Sequence, residues 1–171
     1  MRKTLIIGTS KSNPLKDGYY INNSRFWEII NDELNLNEEV NSYNYGILEN
    51  EYGIVFTELV PSEVRIIKRD NNITVHDLIE GKSYLDDLIH GNPIWQLVFV
   101  GKTAFKWFAL TNLKDMDNNI CIQNTEYGIN HTYYFKDIPC HILTNTHTHF
   151  DENIWRAFWQ YVNNNFIEVF N

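Results

Sequence analysis

Two stretches of the chain are apolar almost without interruption and are bounded by glycine or polar residues. They cover 3–9 and 94–100. Continuous apolar runs of this length are typical of strands that are buried on both faces, as in a parallel sheet. Shorter runs of apolar, aromatic and β-branched residues mark further strand candidates: 39–45, 53–59, 132–135 and 141–144.

Apolar residues at helical spacing occupy the segments between these strands. Two predicted helices have an N-cap residue at their start: Ser24 before 25–33 and Thr74 before 75–89. A further helix follows Gly101. The last helix, over 151–166, carries five apolar residues on one face, which predicts that they lie in the core: Ile154, Trp155, Phe158, Trp159 and Val162.

Strands that alternate with helices predict a mostly parallel sheet covered by helices on both faces, a three-layer α/β/α sandwich. Ligands of such folds bind beyond the carboxyl ends of the strands. We therefore expect the functional residues directly after the strands, around four positions: Ser10, Glu58, Gly101 and Asn145.

Length and composition fit a single domain over residues 1–171, since 43% of the residues are hydrophobic. No apolar run is long enough to span a bilayer, and the start of the chain is too short for a signal peptide, so we expect a cytoplasmic protein. Cys121 and Cys140 form neither a CxxC pair nor a disulfide framework, which predicts buried thiols. The lack of an exposed apolar stripe favours a monomer.

The formal net charge of -8 argues against broad affinity for nucleic acid, because phosphate binding requires clustered Lys and Arg. A local basic rim is compatible with that charge. Lys11, Lys16 and Arg25 lie in or beside the loop after the first strand, and Lys102 and Lys106 follow a later strand. The charge therefore leaves room for local contacts with phosphates.

The loop between Gly8 and Trp27 carries two adjacent tyrosines, Tyr19 and Tyr20, among asparagines, lysines and one aspartate. Aromatic faces beside hydrogen-bonding groups suit a flat polar ligand. The alternative is an ordinary connection whose tyrosines cover the edge of the sheet, since loops are commonly this polar. The residues alone leave both interpretations open.

Four motifs, in order, resemble the uracil-DNA glycosylase superfamily, in particular its mismatch-specific, thymine-DNA glycosylase-like and hypoxanthine-type branches. The first motif combines Gly8-Thr9-Ser10, the aromatic pair 19–20 and Arg25-Phe26-Trp27. The other three resemble the family's Gly-Ile-Gly-Phe-Thr segment, its Leu-Gly-Lys-Gln-Ala turn and its Leu-Pro-Asn-Pro-Ser loop: 52–60, 99–105 and 143–147. The resemblance spans nearly the whole chain and implies the family's three-layer fold.

The resemblance implies hydrolysis of the N-glycosidic bond of a damaged or modified base that is extruded from single- or double-stranded DNA, without a cofactor. Tyr19 or Tyr20 would stack on the base, with Ser10 in the same pocket. Asn145 matches the amide that hydrogen-bonds a base carbonyl while negative charge develops on the departing ring.

The resemblance also implies where DNA would bind. The loop 147–150, with His147 and His149, matches the wedge that enters the duplex and fills the space left by the base. Lys11 and Arg25 would hold the flanking phosphates.

The chain departs from the family pattern at both catalytic positions, which hold Ser10 and Ser24 instead of Asn or Asp. A serine activates water poorly without help, so the general base or the group that stabilises a sugar cation would come from elsewhere in the loop. Asp17, Asn22 and Asn23 are the candidates, and Asp17 is the only carboxylate among them. Two alternatives stay open: Asp17 forms a turn with the glycine that follows, or the domain has lost catalysis and only binds DNA or nucleotides.

Glu58 matches a position at which a thymine-DNA glycosylase carries an asparagine that reads the pyrimidine. A carboxylate accepts a hydrogen bond from the amino group of cytosine, which uracil lacks. This favours a modified cytosine as substrate, as expected of a defence enzyme directed at phage DNA. Uracil and hypoxanthine are the next candidate substrates, and either would indicate a repair enzyme. The alternative for Glu58 is a surface or capping carboxylate.

A different class of function fits the segment 147–151, which follows the His-x-His-x-Asp pattern of metallo-β-lactamase-like zinc hydrolases. That family carries its remaining ligands far downstream, and the twenty residues after Asp151 contain neither His nor Cys. We therefore expect no metal. If zinc did bind, five residues would be the candidate ligands: His131, His141, His147, His149 and Asp151.

Overall fold

The computed structural model describes residues 1–10, 19–20, 23–62, 72–116, 125–147 and 149–165. These residues form five strands and five α-helices. The strands are β1 (Lys3–Gly8), β2 (Ile54–Glu58), β3 (Ile94–Val100), β4 (Gly128–Phe135) and β5 (Ile138–Leu143). The helices are α1 (Ser24–Glu33), α2 (Gly46–Tyr52), α3 (Val75–His90), α4 (Lys102–Thr111) and α5 (Glu152–Asn165).

The strands pair into one sheet in the order β2-β1-β3-β5-β4. Neighbours among β1, β2, β3 and β5 are parallel, and β4 runs antiparallel to β5 at the edge. Side chains alternate between the two faces: Ile6 packs with α1 and α5, whereas Leu5 and Ile7 pack with α3 and α4. The predicted α/β architecture, a mostly parallel sheet with helices on both faces, is confirmed.

The tryptophans of α5 lie in the core, as their spacing predicts. Trp155 and Trp159 are 0% exposed and pack with Phe26 of α1. The rings of Phe26 and Trp155 meet edge to face, with 4.9 Å between their centroids. Aromatic rings bury large areas and prefer this geometry, so they hold α1 and α5 side by side.

The first helix begins differently from the prediction. Its N-cap is Asn23, whose Oδ1 accepts a hydrogen bond from the Phe26 backbone N–H at 3.0 Å, so the prediction of Ser24 as the cap is wrong. Asparagine caps helices as well as serine does, and Ser24 becomes the first helical residue. The predicted cap of α3 is confirmed: Thr74 and Asp77 each accept a hydrogen bond from the other's backbone N–H.

The segment 39–45 is not a strand, contrary to the prediction. Asn41 donates its backbone N–H to Oδ1 of Asn44, while the N–H groups of Tyr43 and Asn44 donate to Oδ1 of Asn41. Asparagine side chains that bond nearby backbone groups in this way favour turns over strands. The short helix α2, which follows directly, was not predicted.

The other strand predictions are confirmed with shifted ends. The segments 53–59, 132–135 and 141–144 fall on β2, β4 and β5. Cys140 on β5 is buried, as predicted, and burial raises the pKa of its thiol to about 12. Cys121 lies outside the described residues. None of the helices in the described part of the chain combines the length and apolarity that a bilayer crossing requires.

The chain changes direction across the sheet around β1. β2 lies on one side of β1, and β3 lies on the other. The helix after β1 packs on one face, and the helix after β3 packs on the opposite face. The two connections therefore diverge beyond the carboxyl ends of β1 and β3, where a doubly wound sheet forms its ligand crevice.

The helix α3 passes directly over the chain that follows β2. A Cβ on Gly81 would overlap the backbone carbonyl oxygen of Leu59 and lie 3.3 Å from Cα of Val60. Only a residue without a side chain therefore allows this close approach.

Gly81→Ala should lower the free energy of unfolding by about 2 kcal/mol, because forcing atoms into a tight contact costs roughly 1–3 kcal/mol. Helix propensity alone predicts that alanine raises the free energy of unfolding by about 1 kcal/mol. The sign of the measured change therefore distinguishes the steric clash from helix propensity. Urea unfolding measures the difference. Gly46→Ala is the control, since a Cβ there meets no described atom within 4 Å. Equal stability of Gly81→Ala and wild type would contradict this packing.

His141 lies in the middle of β5 and is only 4% exposed. The centroid of its ring lies 6.2 Å from that of Tyr161 on α5. Its Nδ1 has no hydrogen-bond partner among the described residues. Burial disfavours the charged imidazole and lowers the pKa of His141 below its usual value.

The stability of the protein should fall as the pH drops below about 6.5, the usual pKa of histidine in an unfolded chain. Below that pH the unfolded chain binds a proton that folded His141 resists, which gives a slope of at most about 1.4 kcal/mol per pH unit. Urea unfolding across this range should show a weaker dependence for His141→Leu. The exposed control Asn130→Ala, which removes no ionisable group, should follow wild type. Parallel curves for wild type and His141→Leu would exclude this contribution.

Candidate functional site

The candidate site lies where β1 and β2 end. Gly8 and Glu58, the last residues of these strands, are paired in register. Ile6 and Phe56, two residues earlier, face α1 and α5. Because side chains alternate along a strand, Glu58 is directed to the same face, and Gly8 presents only its backbone there.

Glu58 is a buried carboxylate. Its residue is 5% exposed, so the alternative of a surface role is wrong. It accepts a hydrogen bond from the Tyr19 hydroxyl, and its charge also acts on Tyr20. Burial, and then the charge of Glu58, raise the pKa values of both tyrosines above their usual value. Both phenols therefore keep their protons, and Tyr19 meets the carboxylate as a neutral donor.

The two tyrosines form an aromatic wall beside this carboxylate. The ring of Tyr19 stacks on Phe56 at 5.5 Å and meets Tyr45 edge to face at 5.1 Å, centroid to centroid. Tyr20 packs its ring edge to face on Phe26 at 4.6 Å. Both tyrosines are half-buried. The structure thus brings together three residues predicted to bind a base, Tyr19, Tyr20 and Glu58.

Tyr20 has an unusual backbone conformation. Its φ of 48° lies in the left-handed region, which a bulky side chain rarely adopts. Such strain is typical of ligand-binding segments, in which the surrounding structure enforces it. The strain therefore agrees with a functional role for this turn.

The described residues leave the position beside the carboxylate open. A Cβ added to Gly8 would meet no described atom within 4 Å apart from its neighbours in the chain. Neighbouring strands lie about 4.8 Å apart, so this space is adjacent to Glu58. Ser10, which was predicted to line the pocket, is half-buried two residues beyond Gly8.

A hydrogen bond joins this region to the Asn145 loop. The side-chain Nδ2 of Asn23 donates to the backbone carbonyl of Thr146, and the backbone N–H of Asn23 donates to the carbonyl of Tyr20 at 3.0 Å. Tyr20 and Asn145 therefore lie at the same edge of the sheet. The Oδ1 of Asn145 accepts a hydrogen bond from the His147 backbone N–H at 2.8 Å. This bond fixes the orientation of the Asn145 amide.

Asn23, one of the predicted catalytic residues, uses both ends of its amide in the structure. The oxygen caps α1, and the nitrogen bonds Thr146. These bonds give Asn23 a positioning role, whereas its catalytic role stays a prediction. Asp17 and Lys11 lie outside the described residues.

Arg25, predicted to hold a phosphate, forms ion pairs on the outer surface of α1. Its guanidinium contacts Glu152 at 2.5 Å and Glu28 at 2.8 Å. The hydrogen bonds from Arg25, and then from Arg156, lower the pKa of Glu152 to about 2. A phosphate at Arg25 would therefore compete with these two carboxylates.

The zinc alternative finds no support in the described part of the chain, where no three His, Cys, Asp or Glu side chains form a group that could hold a metal ion. His147 and His149 are exposed. Oδ1 of Asp151 accepts the backbone N–H of Asn153 at 3.0 Å, as expected of a residue at the start of a helix. Exposure of the two histidines is compatible with the predicted contact with DNA.

No protein-family model and no curated protein matches the sequence.

The hydrogen bond between Tyr19 and Glu58 is the feature of the site that the sequence patterns did not predict. Side chains alternate between the two faces of the sheet along β2, which places Glu58 on the same face as Phe56. This alternation could have indicated that Glu58 is buried. The partner of the carboxylate could not be predicted, since Tyr19 and Glu58 lie far apart in the sequence.

Replacing Asn23 should separate its two bonds. Asn23→Ala loses the helix cap and the bond to Thr146, and should cost about 2 kcal/mol of unfolding free energy in total. Asn23→Ser retains a capping oxygen but is too short to reach Thr146, so it should cost about 1 kcal/mol. Urea unfolding measures both variants. Wild-type stability of Asn23→Ser would show that the bond to Thr146 contributes nothing.

Proposed function

We propose that the protein is a DNA glycosylase that hydrolyses the N-glycosidic bond of an extruded base, and that it has the fold of the uracil-DNA glycosylase superfamily. The observation that carries this proposal is the bond from Asn23 to Thr146, which places the Tyr20 turn and the Asn145 loop at one edge of the sheet. A base bound there would meet aromatic rings on one side and an amide on the other.

The Asn145 amide is suited to stabilise the departing base. Its oxygen is held by the His147 backbone N–H, so the amide presents its NH2 group as the donor. When the glycosidic bond breaks, negative charge develops on the base, and an oriented donor stabilises that charge more in the transition state than in the substrate. The proposal assigns this role to Asn145.

The attacking water needs a group that accepts its proton or a negative charge that stabilises the sugar cation. Asn23 is occupied by its two structural bonds, and its neutral amide is not a base. We assign the role to Asp17, the carboxylate of the same loop.

DNA would approach along the edge that carries the exposed histidines. His147 and His149 precede α5, and the loop that holds them also holds Asn145. An extruded base would enter beside this loop, and unstacking it would cost a few kcal/mol that the aromatic wall and the amide return. Arg25 and Lys11 are the proposed phosphate contacts, and a phosphate would take the place of Glu152 and Glu28 at the Arg25 guanidinium.

The test is a base-release assay on single- and double-stranded oligonucleotides, followed by alkaline cleavage of the abasic sites. The panel holds uracil, hypoxanthine, and 5-substituted uracils and cytosines. We expect release of at least one base, a loss of about 100-fold or more in Asn145→Ala, and loss of activity in Asp17→Asn. Asn130→Ala, an exposed change on β4, is the control. Absence of release from the whole panel, or full rates in both site variants, would refute the proposal.

A second candidate function is a binding module that recognises an extruded base without cleaving it. It is favoured by the two structural bonds of Asn23 and by serine at the positions where the family carries its catalytic residues. The two functions differ in one measurement. A binding module retains the oligonucleotide in an equilibrium binding assay but leaves every base of the panel attached.

A further inference from the structure

The buried carboxylate at the end of β2 has chemistry that selects among bases. Glu58 is 5% exposed and lies next to the space beside Gly8. A ligand in that space would have the carboxylate as a polar neighbour, because Gly8 and Glu58 are paired in register. A carboxylate accepts several hydrogen bonds at once, so accepting one from Tyr19 is compatible with accepting another from a ligand.

Tyr19 is placed to fix the orientation of this carboxylate. Its ring is held between Phe56 and Tyr45, and its backbone N–H donates to the carbonyl of Ser42 at 3.0 Å. With the ring fixed, the hydroxyl has one position from which it donates to Glu58. A hydrogen bond to a charged acceptor is stronger than one between neutral groups, so it restrains the carboxylate.

We propose that Glu58 selects bases that carry an exocyclic amino group and rejects those with a carbonyl in its place, and that Tyr19 is the positioning residue that holds Glu58 for this task. This inference rests on the proposed function, because it concerns the base that the same site binds. The class of substrate is therefore an amino-bearing pyrimidine, such as a 5-substituted cytosine.

The selection follows from the donor and acceptor chemistry. An amino group donates to the carboxylate, whereas a carbonyl oxygen in the same place brings two acceptors together in a buried site. A site built to bond a particular polar group discriminates strongly against an analogue without it, because its own buried group is then left without that bond. Tyr19 contributes by preventing the carboxylate from turning away from the base.

The experiment compares two bases that differ at the amino position. Oligonucleotides carrying 5-methylcytosine or thymine, each on a 2′-fluorinated sugar that resists cleavage, are titrated against the protein by fluorescence anisotropy. The same pair on ordinary deoxyribose is used for base release. We expect wild type to bind 5-methylcytosine at least about 10-fold more tightly than thymine.

Two variants test the roles. Glu58→Gln keeps the shape but can donate to a carbonyl, so it should reduce the binding preference by about 10-fold or more and shift it towards thymine. Tyr19→Phe keeps the ring and removes the hydroxyl, and should reduce the preference by about 3-fold while the Glu58 carboxylate remains. Tyr52→Phe is the matched control, because that buried hydroxyl bonds Asn163 and the Asn35 N–H instead. It should leave the preference unchanged.

The outcomes separate the inference from the proposed function. A preference for 5-methylcytosine that Glu58→Gln abolishes supports the inference even if no base is released, in which case the glycosylase proposal alone fails. Equal binding of the two bases by wild type, or a preference that Glu58→Gln leaves intact, overturns the inference even if another base is released. Absence of binding to both oligonucleotides overturns it as well. A preference that Tyr19→Phe leaves unchanged refutes the positioning role, and thermal unfolding confirms that each variant is folded.

Discussion

The arrangement of the site depends on one amide, that of Asn23. Its oxygen caps the N-terminus of α1, and its nitrogen donates a hydrogen bond to the carbonyl of Thr146, more than a hundred residues later in the chain. Each such bond contributes only about 1 kcal/mol to stability. Their joint effect is geometric, because one side chain joins the start of α1 to the loop that follows β5. Moving Asn23 away from Thr146 would break this bond.

The helices behind this amide maintain the same geometry. Arg156 of α5 bonds Asp32 and Glu33 of α1, and Arg25 of α1 bonds Glu152 of α5. Ion pairs that are exposed or only partly buried contribute little individually, so this network orients the helices more than it stabilises them. The aromatic contacts between α1 and α5 provide the larger share, since they bury whole rings. The core and the site are thus continuous: the cluster that includes Phe26 and Phe56 also supports Tyr19 and Tyr20.

Sequence patterns predicted the parts of the fold that local physics determines. The apolar runs of β1 and β3, the cap at Thr74 and the helical spacing of the α5 tryptophans each carry their own signal. The turns of 41–44 and the cap of α1 were missed because asparagine suits caps, turns and loops alike, and this chain is rich in it. The contact between Tyr19 and Glu58 is set by tertiary packing, which no local pattern encodes.

Two features at this edge of the sheet are unfavourable for folding. A tyrosine at φ 48° costs roughly 1–2 kcal/mol relative to an extended backbone, and burying a carboxylate requires partners that replace water. An apolar residue at position 58 would avoid the second cost. Both features lie at the carboxyl ends of β1 and β2, because Glu58 is paired in register with Gly8 and its charge acts on Tyr20. Residues that are unfavourable for folding and that cluster in one place are expected where ligand binding, and not stability, has determined the sequence.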